Sequence, residues 1–369
     1  MYDIAIVGAG INGCSVAYEF IKEKKKVLLL DQDEVASGGS GSAGAFVSPK
    51  FSKAGELKEL LHVAFLYSFD FYQKHFNNFT TKAQLIHIAK DAKDNEILKS
   101  YKQHTTLDLL HVEEEFLKRL NTKDKEMVSL YSLVVDAKGI CRELSKGCEF
   151  VKHKVSNIKS FENYVEIDGK FKAKKIVLAT GAYKHLLDEE HIKLRGVWGH
   201  RIDIKTSTKI DKFLHQNVSI STTKDGVMAI GATHNVHYHP QTSKEPYNLE
   251  DGQKELLEKA NKTITLKDVE IVKNYTGLRS GSFDYIPLVG KIVDSKNTLL
   301  KDIKFKTKKP DYEQYIYHKN IYMINGNGGY GFVLAPYLAK LLKDEIQNKK
   351  EIDKNLQPAR FFYRWAKKI

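Results

Sequence analysis

Ile4-Ala5-Ile6-Val7-Gly8-Ala9-Gly10-Ile11-Asn12-Gly13 stands at the start of the chain, and Val27-Leu28-Leu29-Leu30-Asp31 follows it after a helical stretch from Cys14 to Lys24. The pattern predicts a strand, a glycine-rich turn, a helix and a second strand that ends in an acid. Gly8 permits the tight turn, Gly10 lets the backbone approach a pyrophosphate, and Gly13 lets helix and strand pack closely. Ala9, Ile11 and Asn12 complete a turn whose helix N-terminus offers N–H donors to an anion. Asp31, with Gln32 beside it, can accept both hydroxyls of an adenosine ribose. An acid at that place argues against a 2′-phosphorylated cofactor.

Three further stretches belong with this turn. Ala36 to Ala45 is too rich in glycine and serine for a helix or strand. It reads as a loop around a cofactor, with Ser37, Gly38, Ser42, Ala43 and Gly44 close to phosphate or ring. Lys174 to Ala182 is an apolar strand ending in Ala179-Thr180-Gly181, which brings the chain back beneath the nucleotide. Near the C-terminus, the strand Ile321 to Asn325 enters Gly326-Asn327-Gly328-Gly329-Tyr330-Gly331, and a helix from Phe332 to Asn348 follows. This second glycine turn before a helix can stabilise negative charge on a reduced isoalloxazine ring. Two such devices at opposite ends of one chain point to a flavin.

The expected fold is therefore α/β. An FAD-binding Rossmann-type domain of the glutathione reductase kind (1–60, 136–190 and 276–369) is interleaved with an α+β substrate domain on an antiparallel sheet (61–135 and 191–275). A chain of 369 residues, 42% hydrophobic and 28% charged, has room for both. The first strand begins almost at Met1, so no signal peptide is expected. The longest apolar run, Phe332 to Leu342, is broken by Lys340, so no membrane span is expected either. The chain reads as cytoplasmic. Cys14, Cys141 and Cys148 lack metal-ligand spacing and read as free thiols. His234, His237 and His239 follow one strand, which rarely converges three ligands, so no metal is expected.

The formal net charge is +13, yet only seven of the 59 basic residues are arginine, and a general lysine bias gives the same excess. Clustering carries more weight. Residues 301–309 form a dense basic segment, and the tail Arg360-Phe361-Phe362-Tyr363-Arg364-Trp365-Ala366-Lys367-Lys368 interleaves cations with rings. Such a mix can hold phosphates and stack on bases, or form a helix that packs its rings inward. Thr276 to Gly290 sets one arginine, Arg279, in a turn-rich and otherwise apolar stretch.

Together these motifs resemble the D-amino acid oxidase-like FAD enzymes, which include glycine and sarcosine oxidases, over nearly the whole chain. Within that family the chain looks most like the subgroup that modifies the wobble uridine of tRNA. The residues that carry this are Ala36-Ser37-Gly38, Gly44-Ala45-Phe46, Asp284 to Gly290 and the ending Leu356-Gln357-Pro358-Ala359-Arg360-Phe361. Members of that subgroup usually carry a methyltransferase domain ahead of this one, and the chain is expected to act without it. Val197-Trp198-Gly199-His200 stands where the family commonly has Arg-Gly-Gln. The resemblance implies noncovalent FAD, with Val155 among its contacts as well as Asn327, Gly328, Gly329, Tyr330, Gly331 and Phe332. It implies that Arg279 grips a substrate carboxylate, while Tyr285, Tyr330 and His200 are candidates to orient the reacting amine. The implied substrate is carboxymethylaminomethyl uridine in tRNA, held by the anticodon arm and oxidised with release of glyoxylate. A free amino acid such as glycine, sarcosine or a D-amino acid is the alternative.

Overall fold

The computed structural model describes the chain except residues 123, 184–185, 302, 304 and 306–309. Most of the basic segment 301–309 thus lies outside the described residues. The chain divides into two compact units: Met1–Gly41, Lys138–Gly196 and Arg279–Ile369 form the first, Ser42–Ala137 and Val197–Leu278 the second.

In the first unit, six strands lie in the order Leu288–Val293, Tyr317–Asn325, Phe171–Leu178, Tyr2–Val7, Val27–Asp31 and Glu149–Lys152. Five run parallel, with Ile4 opposite both Val27 and Lys175, Leu28 opposite Glu149 and Ile321 opposite Ile176; Leu288–Val293 runs antiparallel. Parallel strands are covered on both faces, which is why Val27 to Leu30 is apolar without alternation and fully buried. The Ile11–Ile21 and Gly331–Ile346 helices pack against each other beside this sheet. Ile158–Ser160 and Val165–Ile167 pair antiparallel.

The tail of this unit answers the question its sequence left open. Phe362 is fully buried in a cluster with Phe305, Tyr312, Tyr315 and Ala359, against which Tyr363 and Trp365 also pack. Base stacking by these rings is therefore corrected to core packing. Arg364, Lys367 and Lys368 remain exposed.

The second unit is built on a mostly antiparallel sheet. Its order is Glu270–Ser282, Leu194–Lys205, Val227–Gly231, Ser219–Ile220, Phe213–His215, Thr80–Ile88, Met127–Val135 and Phe46–Val47. The helix Leu249–Asn261 lays Leu256 and Ala260 on a core that contains Ile202, Ile204, Met228 and Ile230. Residues 42–60, expected in the flavin domain, fall in this unit. The short strand Phe46–Val47 pairs with Leu133 and Val134, and Ser132 Oγ donates to the Val47 carbonyl at 2.9 Å.

Candidate active site

The first glycine turn is held from three sides. Gly8 adopts φ +105°, and a Cβ there would lie 2.3 Å from the Ala179 carbonyl oxygen. A Cβ on Gly13 would lie 1.8 Å from the carbonyl oxygen of Gly8. Only glycine permits both approaches. The Ala9 amide donates to Asp31 Oδ2 at 2.7 Å and the Asp33 amide to Oδ1 at 3.0 Å, so the acid is fixed at the mouth of the turn. Burial pushes the Asp31 carboxyl above its ordinary value against the pull of those amides. Gln32 is exposed beside it. The amide of His153 donates to the Asp31 carbonyl at 2.6 Å, and Val155 follows into the core with Val7 and Leu178.

At the helix N-terminus, the Ile11 amide donates to Ser40 Oγ at 2.9 Å. The loop reading named Ser37 and Gly38 and passed over Ser40, because nothing in the spacing separates one serine of that run from the next. Ser42, Ala43 and Gly44 belong to the second unit. There Ser42 Oγ donates to the Thr276 carbonyl at 2.5 Å, the Ala43 carbonyl accepts from Arg201 Nη1 at 3.1 Å, and Gly44 lies against the Phe46 ring.

The second glycine turn comes to the first. Asn327 Nδ2 donates to Asn12 Oδ1 at 2.7 Å, and Asn12 Nδ2 donates to the Ile324 carbonyl at 3.4 Å. Asn327 Oδ1 is buried with no hydrogen-bond partner. A buried amide oxygen without a donor is costly, and it marks a place that a polar ligand completes. Asn325 Nδ2 donates to the Gly181 carbonyl at 2.9 Å, so Thr180 and Gly181 join the same cluster. Gly328 and Gly329 lead to Tyr330, half-buried at the N-cap of the Gly331–Ile346 helix, with Phe332 in its first turn. Helix N-termini favour negative charge. The orphaned Asn327 oxygen, the bare Gly8 and Gly13 cradle and the fixed Asp31 fit a flavin dinucleotide.

Arg279 lies inside the Glu270–Ser282 strand rather than in the turn its glycines and serines suggested. Its neighbours are tied to the second glycine turn. Ser280 Oγ donates to Asn325 Oδ1 at 2.9 Å, the Gly328 amide donates to the Ser280 carbonyl at 2.7 Å, and Gly281 bridges to Asn327. Burial pushes the Arg279 guanidinium below its ordinary pKa, which marks a cation held out of bulk water.

Tyr285 follows in a turn fastened by Asp284, whose carboxylate takes Arg360 Nε at 2.8 Å and Nη2 at 2.9 Å. Arg195 stacks on the Tyr285 ring with its guanidinium carbon 4.0 Å from the centroid. No feature of the sequence singled out Arg195.

His200 stands in the Leu194–Lys205 strand. Its ring is fully buried in the second unit, with Nε2 2.9 Å from Asn274 Oδ1 and Tyr247 edge-on. Side chains alternate along a strand, so His200 shares the helix-covered face with Ile202 and Ile204 while Arg201 takes the other, over the Tyr275 ring at 3.9 Å. That placement sets the His200 ring in the core of the second unit, with its Nδ1 buried and without a hydrogen-bond partner. Trp198 is half-buried between Tyr238 and Tyr247. Cys14, Cys141 and Cys148 are free thiols. Among the described residues, the one His, Cys and acid group spaced for a metal is Glu189, Asp294 and His318. It includes none of His234, His237 and His239.

The FAD dependent oxidoreductase family model matches residues 3–345. The chain belongs to that family and is an FAD-dependent oxidoreductase. A relative from Campylobacter fetus, the tRNA 5-methylaminomethyl-2-thiouridine biosynthesis bifunctional protein MnmC, is 24% identical over 99% of this chain and 60% of its own length. The protein of the same name from Legionella pneumophila strain Lens is 24% identical over 96% of this chain and 56% of its own length. The chain thus spans little more than half of the curated relatives it matches. Glycine oxidase from Bacillus cereus superposes with a TM-score of 0.76 at 19% identity, covering 95% of this chain and 96% of that one. Iminodiacetate oxidase from Chelativorans superposes with a TM-score of 0.73 at 16% identity, covering 96% and 98%. Among the described residues no helix is long and apolar enough to cross a membrane.

Proposed function

We propose that this protein oxidises the secondary amine of a carboxymethylaminomethyl group on tRNA wobble uridine. The observation that carries the reading is Arg279, a half-buried cation whose neighbour Ser280 is bonded into the second glycine turn. A guanidinium in such a place grips a carboxylate through a fork of two hydrogen bonds. The acid end of the substrate is thereby fixed, and the methylene between carboxylate and amine is held at one distance from the turn. When bound, FAD supplies the acceptor for the hydride that this methylene loses. The amine enters neutral, because a protonated nitrogen has no lone pair to assist the loss. Tyr330 and Tyr285 are the side chains proposed to orient it. The oxidised substrate is an imine, and water splits it into glyoxylate and an aminomethyl uridine.

The names of the curated relatives support tRNA as the substrate, and FAD is proposed to be held without a covalent bond. The likeness to glycine oxidase favours a second reading, a free amino acid, because Arg279 serves either carboxylate equally. The deciding experiment mixes the purified yellow protein, without oxygen, with glycine, sarcosine, or tRNA bearing the carboxymethylaminomethyl group. Bleaching of the flavin by the tRNA alone is the expected result. Bleaching by the free amino acids alone would overturn the tRNA reading.

A further inference from the structure

We propose that Phe283 and Tyr285 form a platform on which unpaired bases of an RNA loop stack. The inference rests on the tRNA reading above. Among the described residues these are the two most exposed aromatic rings, at 69% and 62%. Two large rings left open within three residues of each other offer a contact surface.

They are not loose. Asp284 between them is clamped by two hydrogen bonds from Arg360, and also accepts from Ser282 Oγ at 3.1 Å and the Ile286 amide at 3.2 Å. Arg360 in turn donates to the carbonyls of Pro287, Leu356 and Gln357 at 3.1–3.3 Å, and to that of Ile286 at 2.6 Å. The clamp is strong enough to hold Tyr285 at φ +69°, a conformation that side-chain-bearing residues avoid. Rings held on a rigid, strained turn lose little conformational entropy on binding, which suits recognition rather than packing.

Two observations select RNA as the occupant. Arg195 covers one face of Tyr285 at 4.0 Å, and its buried Nε has no hydrogen-bond partner. The cation lies behind the ring and the open face is left for a planar, electron-rich base. Charge points the same way. The first unit, which carries this turn, has 35 Lys and Arg against 23 Asp and Glu, whereas the second has 24 against 23. The cationic excess of the chain therefore sits in the unit that presents the rings, as binding to a phosphate backbone requires. The turn also follows Arg279 by four residues, so a base stacked there belongs to the neighbourhood of the reacting nucleotide.

The test measures binding of the flavin-loaded protein, by fluorescence anisotropy at one fixed salt concentration, to a synthetic stem-loop RNA and to a blunt RNA duplex of equal length. Phe283→Ala and Tyr285→Ala should each weaken stem-loop binding about tenfold, with duplex binding and the amount of flavin retained unchanged. Tyr285→Phe should keep near-native affinity, because it preserves the ring. If the wild type prefers the stem-loop and both alanine variants bind it equally well, the platform is overturned while the tRNA reading stands. If the wild type binds no RNA, the tRNA reading falls and the platform with it. Unchanged RNA binding with lost binding to anionic phospholipid vesicles would reassign the rings to a membrane surface and overturn the proposal.

Discussion

Asn12 and Asn327 meet amide to amide at 2.7 Å although 315 positions separate them in the chain. One belongs to the first glycine turn and the other to the second, so this bond joins the two anion-stabilising helix ends. Asn327 also carries a buried oxygen without a hydrogen-bond partner, which a bound flavin would supply. Asn327→Ala should therefore fold and retain less FAD. The check is the flavin-to-protein absorbance ratio after gel filtration, read beside the denaturation midpoint. A full complement of flavin would separate Asn327 from the cofactor.

Gly10 and Gly13 of the first turn should behave differently when substituted. A Cβ on Gly13 meets the backbone oxygen of Gly8, which cannot move without moving the sheet. A Cβ on Gly10 meets only Ser40 Oγ at 2.9 Å, the end of a side chain that can rotate. Gly13→Ala should thus yield an unstable protein, and Gly10→Val a folded one that has lost its yellow colour. Circular dichroism and the flavin spectrum of both variants decide the matter. A yellow Gly10→Val protein would place the pyrophosphate elsewhere.

How far the sequence disclosed this arrangement follows the range of the interactions. The strand–turn–helix–strand unit at the N-terminus is local, set by periodicity and by glycines that lie within a few residues of their partners, and it was legible. The strand Phe46–Val47 was not, because its pairing with Leu133 and Val134 is distant and two residues carry no period. Arg279 stood out in the sequence as a cation in an apolar stretch. Its strand was hidden by Gly277, Ser280, Gly281 and Ser282, which on their own favour turns. The role of Arg360 was out of reach, since its partner Asp284 lies 76 residues away. The burial of His200 was hidden for a different reason. A strand shows which residues share a face, but not which face the helix will cover.

Arg279→Ala should lower kcat/KM by about a hundredfold, in keeping with the ~3 kcal/mol of a charge-assisted hydrogen-bonded contact. The pH profile adds a second reading. Arginine keeps its charge through the neutral range, so the rise of kcat/KM with pH reports deprotonation of the substrate amine. That acidic limb should keep its midpoint in Arg279→Ala while the whole curve drops. A shifted midpoint would mean that the guanidinium sets the amine's titration and not merely the carboxylate's position.

The tail makes a prediction about stability. Phe362 is fully buried, with Tyr315, His191 and Phe305 rings at 5.0, 5.2 and 5.8 Å. Phe362→Ala should cost about 3–5 kcal/mol in a denaturant titration. Removing 360–369 takes away Arg360 as well, so flavin and RNA binding should fail together with the fold. Lys367→Ala and Lys368→Ala touch only exposed charges, and should leave the midpoint unchanged while showing in RNA affinity whatever the tail's cations contribute.

Glu345 supplies one pH-dependent element of stability. It sits on the Gly331–Ile346 helix with Oε2 buried and unpartnered, facing Gly290 on the neighbouring strand. Burial pushes its carboxyl up to about 7, Lys291 opposing and Glu351 assisting. In the unfolded chain a glutamate titrates near 4.3. The folded state thus holds its proton more tightly, and the stability this confers is complete below that value and is lost as pH rises from there through about 7. Glu345→Gln keeps the shape and removes the titration. It should raise Tm by a few degrees at pH ~8 and leave it nearly unchanged at pH ~4, flattening the profile between. A variant whose Tm follows the wild-type pH profile throughout would show that another group carries the dependence.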